Sequence, residues 1–445
     1  MLLGGRGMRP SILPRALALR HADTVPPQPP LRRAPRVTRA PFLGRSGRRG
    51  PREPLPRDVR VLGVVAFFVM LGFGVVIPVL PVYVRGFGVG YVEVGAVVSA
   101  FAVMRLVVGP FVGRVVDRFG ERLVLATGIG IVAVSSGLVG IASSYPQLLI
   151  LRGLGGIGSA MFSVAAMTLI LGVTSSTQRG RAVGFWQGGF LIGGMAGPAL
   201  GGLLTTISLT APFFFYAATL AVAGAVGLVL LTGRTSGDTA AEAATGGFRS
   251  VLRDRRFQVA SVANLASGWA AMGVRSTLVP VLVVEVLHEE PAWTGIAFAI
   301  SAVVQAIALG PAGRFVDTVG RRPAIVWSFL LGGAAMMAIP FVTELWMLVA
   351  LLVVYAVAAA FIGTAPSALM SDAAGGRKGT PVAVFQAAAD VGAIVGPLAA
   401  GALLDLFSYP AAFASATILM LAASLFAATL PSTPQRATPE RGLQV

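Results

Sequence analysis

The chain has 445 residues, 55% of them hydrophobic and 12% charged, with a mean hydropathy of +0.81. Soluble domains run at roughly 45–50% apolar and 25% charged, so this composition excludes a soluble enzyme and a disordered binding protein, and it predicts an all-α polytopic membrane protein. The chain has no cysteine and a formal charge of +17, which excludes disulfide frameworks and thiolate metal sites and leaves the placement of the positive charge to be explained.

Residues 1–57 hold thirteen arginines against Asp23 and Glu53 and are rich in proline. Removing that segment's net +11 leaves +6 on the rest of the chain, an ordinary excess for loops, so no nucleic-acid partner is expected. The segment shows no sustained apolar period and is read as a disordered Arg/Pro-rich cytoplasmic tail. Twelve apolar blocks follow, at about 60–84, 92–112, 123–143, 146–172, 182–207, 211–232, 257–286, 292–312, 323–342, 345–370, 382–406 and 410–430. Each is close to the ~20 residues that cross ~30 Å of hydrocarbon. The connector 233–256 divides them into two six-helix bundles, 58–232 and 257–431, with a short tail at 432–445. Glycine, at 56 residues, is far above its usual share of roughly 7%, as expected where helices pack backbone to backbone in lipid.

Arginine marks the sidedness. Alternate connections and the C-terminal tail carry seventeen Lys/Arg, against Arg85 alone in the intervening loops. By the positive-inside rule the arginine-rich side and both termini are cytoplasmic, giving a multi-pass cell-membrane protein, expected as a monomer. The halves also repeat. GRVVDRFGERLVL at 113–125 returns as GRFVDTVGRRPAI at 313–325, and GGMAGPALGG at 193–202 returns as GAIVGPLAAG at 392–401. Two like-oriented, pseudo-symmetric six-helix halves form a parallel repeat and enclose a cavity between them.

Ionisable residues inside spans cost at least ~2.5–3.5 kcal/mol at mid-bilayer, so Arg105, Arg152, Arg275 and Asp390 are the sharpest functional candidates. Asp390 lies about eight residues, or roughly 12 Å, inside the eleventh span, and Arg105 sits at similar depth in the second. Gln386 is one turn before Asp390 on the same face, and Gln187 is its repeat mate. Two readings of Asp390 stand side by side: a titratable proton carrier, and a fixed salt bridge. Trp269, Phe73, Trp186 and Phe298 are aromatic candidates for a pocket around Arg275 that takes a planar or anionic solute, with core packing as the alternative.

These features resemble the major facilitator superfamily over about 58–431. The loop signature Gly-x-x-x-Asp-Arg-x-Gly-Arg-Arg is met by Gly113, Asp117, Arg118, Gly120 and Arg122, with Glu121 in one basic position. Its second copy keeps Gly313, Asp317, Gly320, Arg321 and Arg322, with Thr318 for the first Arg. Arg152, Gly156 and Gly158 resemble the fourth-helix pattern. Gly193, Gly197, Pro198, Gly201 and Gly202 resemble the fifth-helix motif of drug:proton antiporters, and Gly392, Gly396 and Pro397 repeat it. GFGVVIPVLP at 72–81 is similar to the first helix of twelve-helix drug exporters, with Val69 where that signature has Asp.

The resemblance implies alternating-access transport, proton-coupled efflux of small drug-like or metabolite molecules, with a uniporter or importer of a small polar nutrient as the alternative. It also implies that Arg152 serves the cavity and proton transfer, and that the second and eleventh helices are neighbours across the halves, so that Arg105 and Asp390 pair in one state and part in another. The Asp117 and Asp317 clusters would then latch the cytoplasmic side. The glycine motifs have two readings, a half-to-half contact and plain helix packing. An embedded enzyme is disfavoured: the two histidines, His21 and His288, lie in the tail and a loop, and no phosphate-binding Gly-x-x-x-x-Gly-Lys-Ser/Thr segment is present. No cofactor is expected.

Overall fold

The structure is a computed structural model, and it describes residues 54–175, 178–232, 248–374 and 380–431. The tail 1–53, most of the connector (233–247), the basic pair Arg377 and Lys378, and the segment 432–445 lie outside the described residues.

Among the described residues, twelve helices are long and apolar enough to cross a membrane: α1 (Arg57–Val76), α2 (Tyr91–Phe119), α3 (Glu121–Val139), α4 (Tyr145–Val173), α5 (Arg179–Thr205), α6 (Ala211–Leu230), α7 (Arg255–Glu285), α8 (Pro291–Thr318), α9 (Arg321–Phe341), α10 (Leu345–Ala374), α11 (Pro381–Leu406) and α12 (Tyr409–Ala428). No strand occurs among the described residues. One buried apolar cluster draws only on residues 59–231 and the other only on 251–430, so each set of six helices has its own core.

Two spans are less regular than their hydropathy predicts. The first block, expected as one helix over 60–84, stops at Val76, turns through Ile77–Val79 and resumes as Leu80–Arg85. Pro78 has no N–H for the ladder and its ring obstructs the preceding turn. In α7, residues Trp269–Arg275 form a π-helical segment. Directly after it, the Ser276 and Thr277 hydroxyls donate to the carbonyls of Ala271 and Met272, five residues back. Such insertions shift the helix register and concentrate at functional positions.

The signature expected in the loops is mostly helical. Gly113, Asp117 and Arg118 lie in the last turns of α2, and Gly313 and Asp317 in those of α8. Nothing in GRVVDRF breaks a helix before Gly120, and the charged side chains let it run out of the lipid. The turns themselves fall on Gly120 (φ +82°) and Gly320 (φ +124°), a backbone region that glycine enters without a Cβ clash. Arg122 and Arg322 then open α3 and α9. Arg122 donates to the carbonyl of Leu228 on α6, and Arg322 donates at 2.7 Å to that of Ala428 on α12. The repeat thus places matching clasps between the third and last helix of each half.

The halves meet mainly along two helix pairs, α2 with α11 and α5 with α8, with a smaller contact between the Leu80–Arg85 segment and the end of α7. A Cβ on Gly295 would lie 2.5 Å from the Pro198 carbonyl and from the backbone of Gly202. A Cβ on Gly95 would strike the carbonyl of Pro397, and one on Gly401 that of Tyr91. Gly95 and Gly295, like Pro198 and Pro397, are repeat mates, so the interface is pseudo-symmetric. Gly193, Gly197 and Gly201 instead face α1, at Phe67, Leu71, Gly74 and Val75, within their own half. Likewise Gly392 and Gly396 face Leu265, Trp269 and Gly273 of α7. Only Gly202 of the fifth-helix glycines abuts the other half, so for the remainder the packing alternative describes the contact.

Candidate functional site

At the face opposite the arginine-rich loops, charge closes the gap between the halves. Arg85 Nε and Glu285 Oε1 are 2.8 Å apart, each side chain about 30% exposed. Tyr91 also donates its hydroxyl to Glu285, and the Arg85 guanidinium lies 4.2 Å from the centre of the Tyr91 ring. Asp405, at the end of α11, accepts the backbone N–H of Tyr91 at 3.0 Å and of Val92 at 2.8 Å. A carboxylate from one half therefore caps the positive N-terminus of a helix in the other. One step deeper, the Ser99 hydroxyl donates to the Ile394 carbonyl at 2.6 Å. Sequence reasoning missed Asp405 altogether and left Glu285 unassigned; the one available signal was Arg85, alone among the bases of its side.

Toward the arginine-rich face the contacts give way. A Cβ on Gly109, Gly113, Gly184, Gly188, Gly310 or Gly313 would meet no atom within 4 Å. Arg105, Gln187 and Gln386 are exposed and Asp390 half-exposed. Polar groups at such depth face a water-filled opening rather than lipid. Arg105 and Asp390 stand on helices that pack together, in a register (Ser99 by Ile394, Gly95 by Pro397) that brings them within about a turn of each other. They are not paired with each other in this conformation; ion pairs instead join Arg85 to Glu285, Arg321 to Asp317 at 3.8 Å and Arg321 to Asp372 at 2.9 Å. Asp117 and Arg118 are both exposed.

Between the seal and the opening lies a cavity of about 40 Å³, lined by Phe73, Ile77 and Val98 with Arg152 from the first half and by Met272 and Ser276 from the second. It has room for a water molecule or two, far below the ~300–1,000 Å³ of a drug-sized site, so this state holds the closed end of a pathway. Arg152 is 6% exposed; its guanidinium sits 4.9 Å from the Phe101 ring centre, and its Nε is buried without a hydrogen-bond partner. Close packing of α4 explains the position, since a Cβ on Gly156 would strike the carbonyl of Phe101. Arg275 ends the π-helical segment, its guanidinium 5.0 Å from the Phe298 ring and 5.6 Å from the Tyr355 ring, and its Nε too is buried without a partner. Trp269 is turned away, its indole donating to Ser415 of α12 at 3.1 Å. Trp186 packs edge-on to Phe190. No cluster of His, Cys, Asp and Glu able to hold a metal occurs among the described residues.

Two like-oriented helical halves around a central cavity, sealed at one face and open at the other, define a membrane transporter. The Major Facilitator Superfamily model matches residues 62–302 and 260–444, and the chain belongs to that family, whose members are transporters rather than enzymes. It is 25% identical over 356 residues to the quinolone resistance protein NorA of Staphylococcus aureus (strain COL), covering 78% of this chain and 90% of that one. It is 27% identical to multidrug resistance protein 1 of Bacillus subtilis (strain 168), covering 79% and 91%. The fold matches the crystal structure of a bacterial homologue of the human lysosomal transporter Spinster, inward-facing and unoccupied, with a TM-score of 0.68 at 18% identity over 83% of this chain and 94% of the other. It also matches the nucleoside transporter NupG, with a TM-score of 0.64 at 14% identity over 83% and 98%.

Proposed function

We propose that this transporter exports small drug-like or metabolite molecules across a bacterial cell membrane by alternating access driven by protons. The arginine-rich face is taken as cytoplasmic under the positive-inside rule, which makes the state described here inward-facing and leaves both termini inside. Bundles 58–232 and 257–431 are the moving units, and 233–256 is their cytoplasmic tether. The observation that carries the reading is Asp390: a carboxylate deep in α11, on the helix pair that joins the halves, half-exposed and without an ion-pair partner in the inward-facing state. It is placed to exchange a proton with cytoplasmic water and to meet Arg105 when that side closes. The likeness to NorA and to multidrug resistance protein 1 supports efflux.

The test is dye and quinolone efflux from cells expressing the full chain, with and without a protonophore. Wild-type efflux collapses with the protonophore. Asp390→Asn lowers proton-driven efflux by at least tenfold, and Arg105→Gln combined with Asp390→Asn restores part of it. Efflux that survives the protonophore, or equal damage in the single and double variants, refutes the assignment.

A further inference from the structure

We propose that Asn264 of α7 is a positioning residue, whose amide holds α11 turned so that the Asp390 carboxylate faces Arg105 and the opening at the arginine-rich face. The proposal rests on the efflux reading above for the role of Asp390 and deepens it by naming the group that aims that carboxylate.

Three observations carry it. The first is a bond. Asn264 donates its Nδ2 to the carbonyl of Phe385 at 2.7 Å, in a partly buried seam between helices 121 residues apart in the chain. Among the described residues it is the one side-chain hydrogen bond that joins α7 to α11. A carbonyl has two lone pairs, so Phe385 accepts this amide without giving up its bond within α11.

The second is rotation. Phe385, Gly392 and Gly396 fall at i, i+7 and i+11, one stripe of a helix. Gly392 and Gly396 set that stripe against Leu265, Trp269 and Gly273, and Gly268 abuts the carbonyl of Ala389. At about 100° per residue, Asp390 stands about 140° round from Phe385 and about 160° from Gly392, on the side away from α7. It is half-exposed there. Glycine contacts bring the two backbones close but have little directional preference, whereas a hydrogen bond weakens steeply when its angle is lost. Asn264 grips α11 one turn before Asp390, so it fixes the roll of the helix at that point.

The third is an asymmetry in the repeat. Gly193 meets the Phe67 carbonyl and the Leu71 nitrogen of α1, as Gly392 meets the Leu265 carbonyl and the Trp269 nitrogen of α7. This register makes Ala66 the mate of Asn264, and Leu191 the mate of Asp390. In the first half the seam is bare packing: a Cβ on Gly189 would strike the Gly63 carbonyl and lie 3.3 Å from the Ala66 Cβ. In the second half Ala388 stands in place of Gly189, and an amide spans the seam. Packing of this helix pair does not require a polar brace, since the first half does without one. The brace occurs in the half that carries the carboxylate.

The experiment uses the full chain in nanodiscs. Arg105→Cys with Asp390→Cys supplies the only two thiols, because the chain has no cysteine, and a short bifunctional methanethiosulfonate joins them if position 390 faces α2. Adding Asn264→Leu, which keeps the shape and loses the donor, should cut the cross-linking rate fivefold or more. Asn264→Gln, which keeps an amide, should fall between. Cross-linking of Tyr91→Cys with Asp405→Cys, at the sealed face, should change less than twofold, and Tm shows whether each variant is folded. In cells with Arg105 and Asp390 intact, Asn264→Leu should lower the maximal rate of dye efflux fivefold or more and move its pH profile by roughly half a unit, with the KM for dye within twofold of wild type.

No cross-link in the protein that retains Asn264, or an undiminished one in folded Asn264→Leu, overturns the proposal. So does an equal fall at the Tyr91–Asp405 pair, which would mean general loosening. A lost 105–390 cross-link with an unchanged pH profile upholds Asn264 as the group that aims residue 390 and instead refutes Asp390 as the proton carrier.

Discussion

Asp405→Asn tests the seal at the face opposite the arginine-rich loops most directly. The carboxylate accepts two backbone N–H groups at 2.8 and 3.0 Å at the start of α2. An amide has one oxygen to offer and carries no charge, so one bond is lost and the interaction with the helix dipole falls away. Hydrogen bonds to charged groups are worth about 1.5–3 kcal/mol and a charge at a helix N-terminus about 0.3–1 kcal/mol. Asp405 is exposed, which places the combined loss at about 1–2 kcal/mol, toward the low end of these ranges. At 1.4 kcal/mol per factor of ten, the outward-open population should rise roughly 5- to 30-fold.

The chain has no cysteine, so Ile77→Cys, in the cavity lining, supplies a single thiol. Its labelling by a membrane-impermeant thiosulfonate added outside intact cells reports outward opening. The rate should rise by that factor with Asp405→Asn and by less with Asp405→Glu. A change of less than twofold would show that Asp405 does not hold the outer side closed.

Two further outcomes follow from backbone contacts. Gly295→Ala forces a Cβ to within 2.5 Å of the Pro198 carbonyl and the Gly202 backbone; overpacking of this kind costs about 1–3 kcal/mol, and the same labelling assay should register it as increased outer access with the helical content unchanged. Gly120→Ala places a side chain at φ +82°, which costs about 1–3 kcal/mol and should lower Tm by several degrees. Gly113→Ala, whose Cβ meets nothing within 4 Å, should leave Tm within a degree of wild type.

Much of this architecture is written locally in the chain. The twelve spans follow from runs of apolar residues, because a segment of that length partitions into lipid on its own composition. The alternation of arginine follows from the cost of moving charge across the bilayer. The internal repeat, read as GRVVDRFGERLVL and GRFVDTVGRRPAI, announces two like halves. Buried arginines are equally visible, since a cation inside an apolar run has no inexpensive explanation.

What the tertiary structure alone decided is which helix ends and faces meet. The glycines of 193–201 have the spacing of a contact stripe, but nothing in that spacing says that the partner is α1 rather than the other half. Arg85 and Glu285 are 200 residues apart, and Asp405 lies 314 from the backbone it caps. Such pairings depend on the relative tilt of whole bundles in one state of the cycle, a non-local property that no local window of sequence encodes. The same holds for the unpartnered Nε atoms of Arg152 and Arg275. Their positions are legible residue by residue, whereas the absence of an acid beside them exists only once every neighbouring helix is in place.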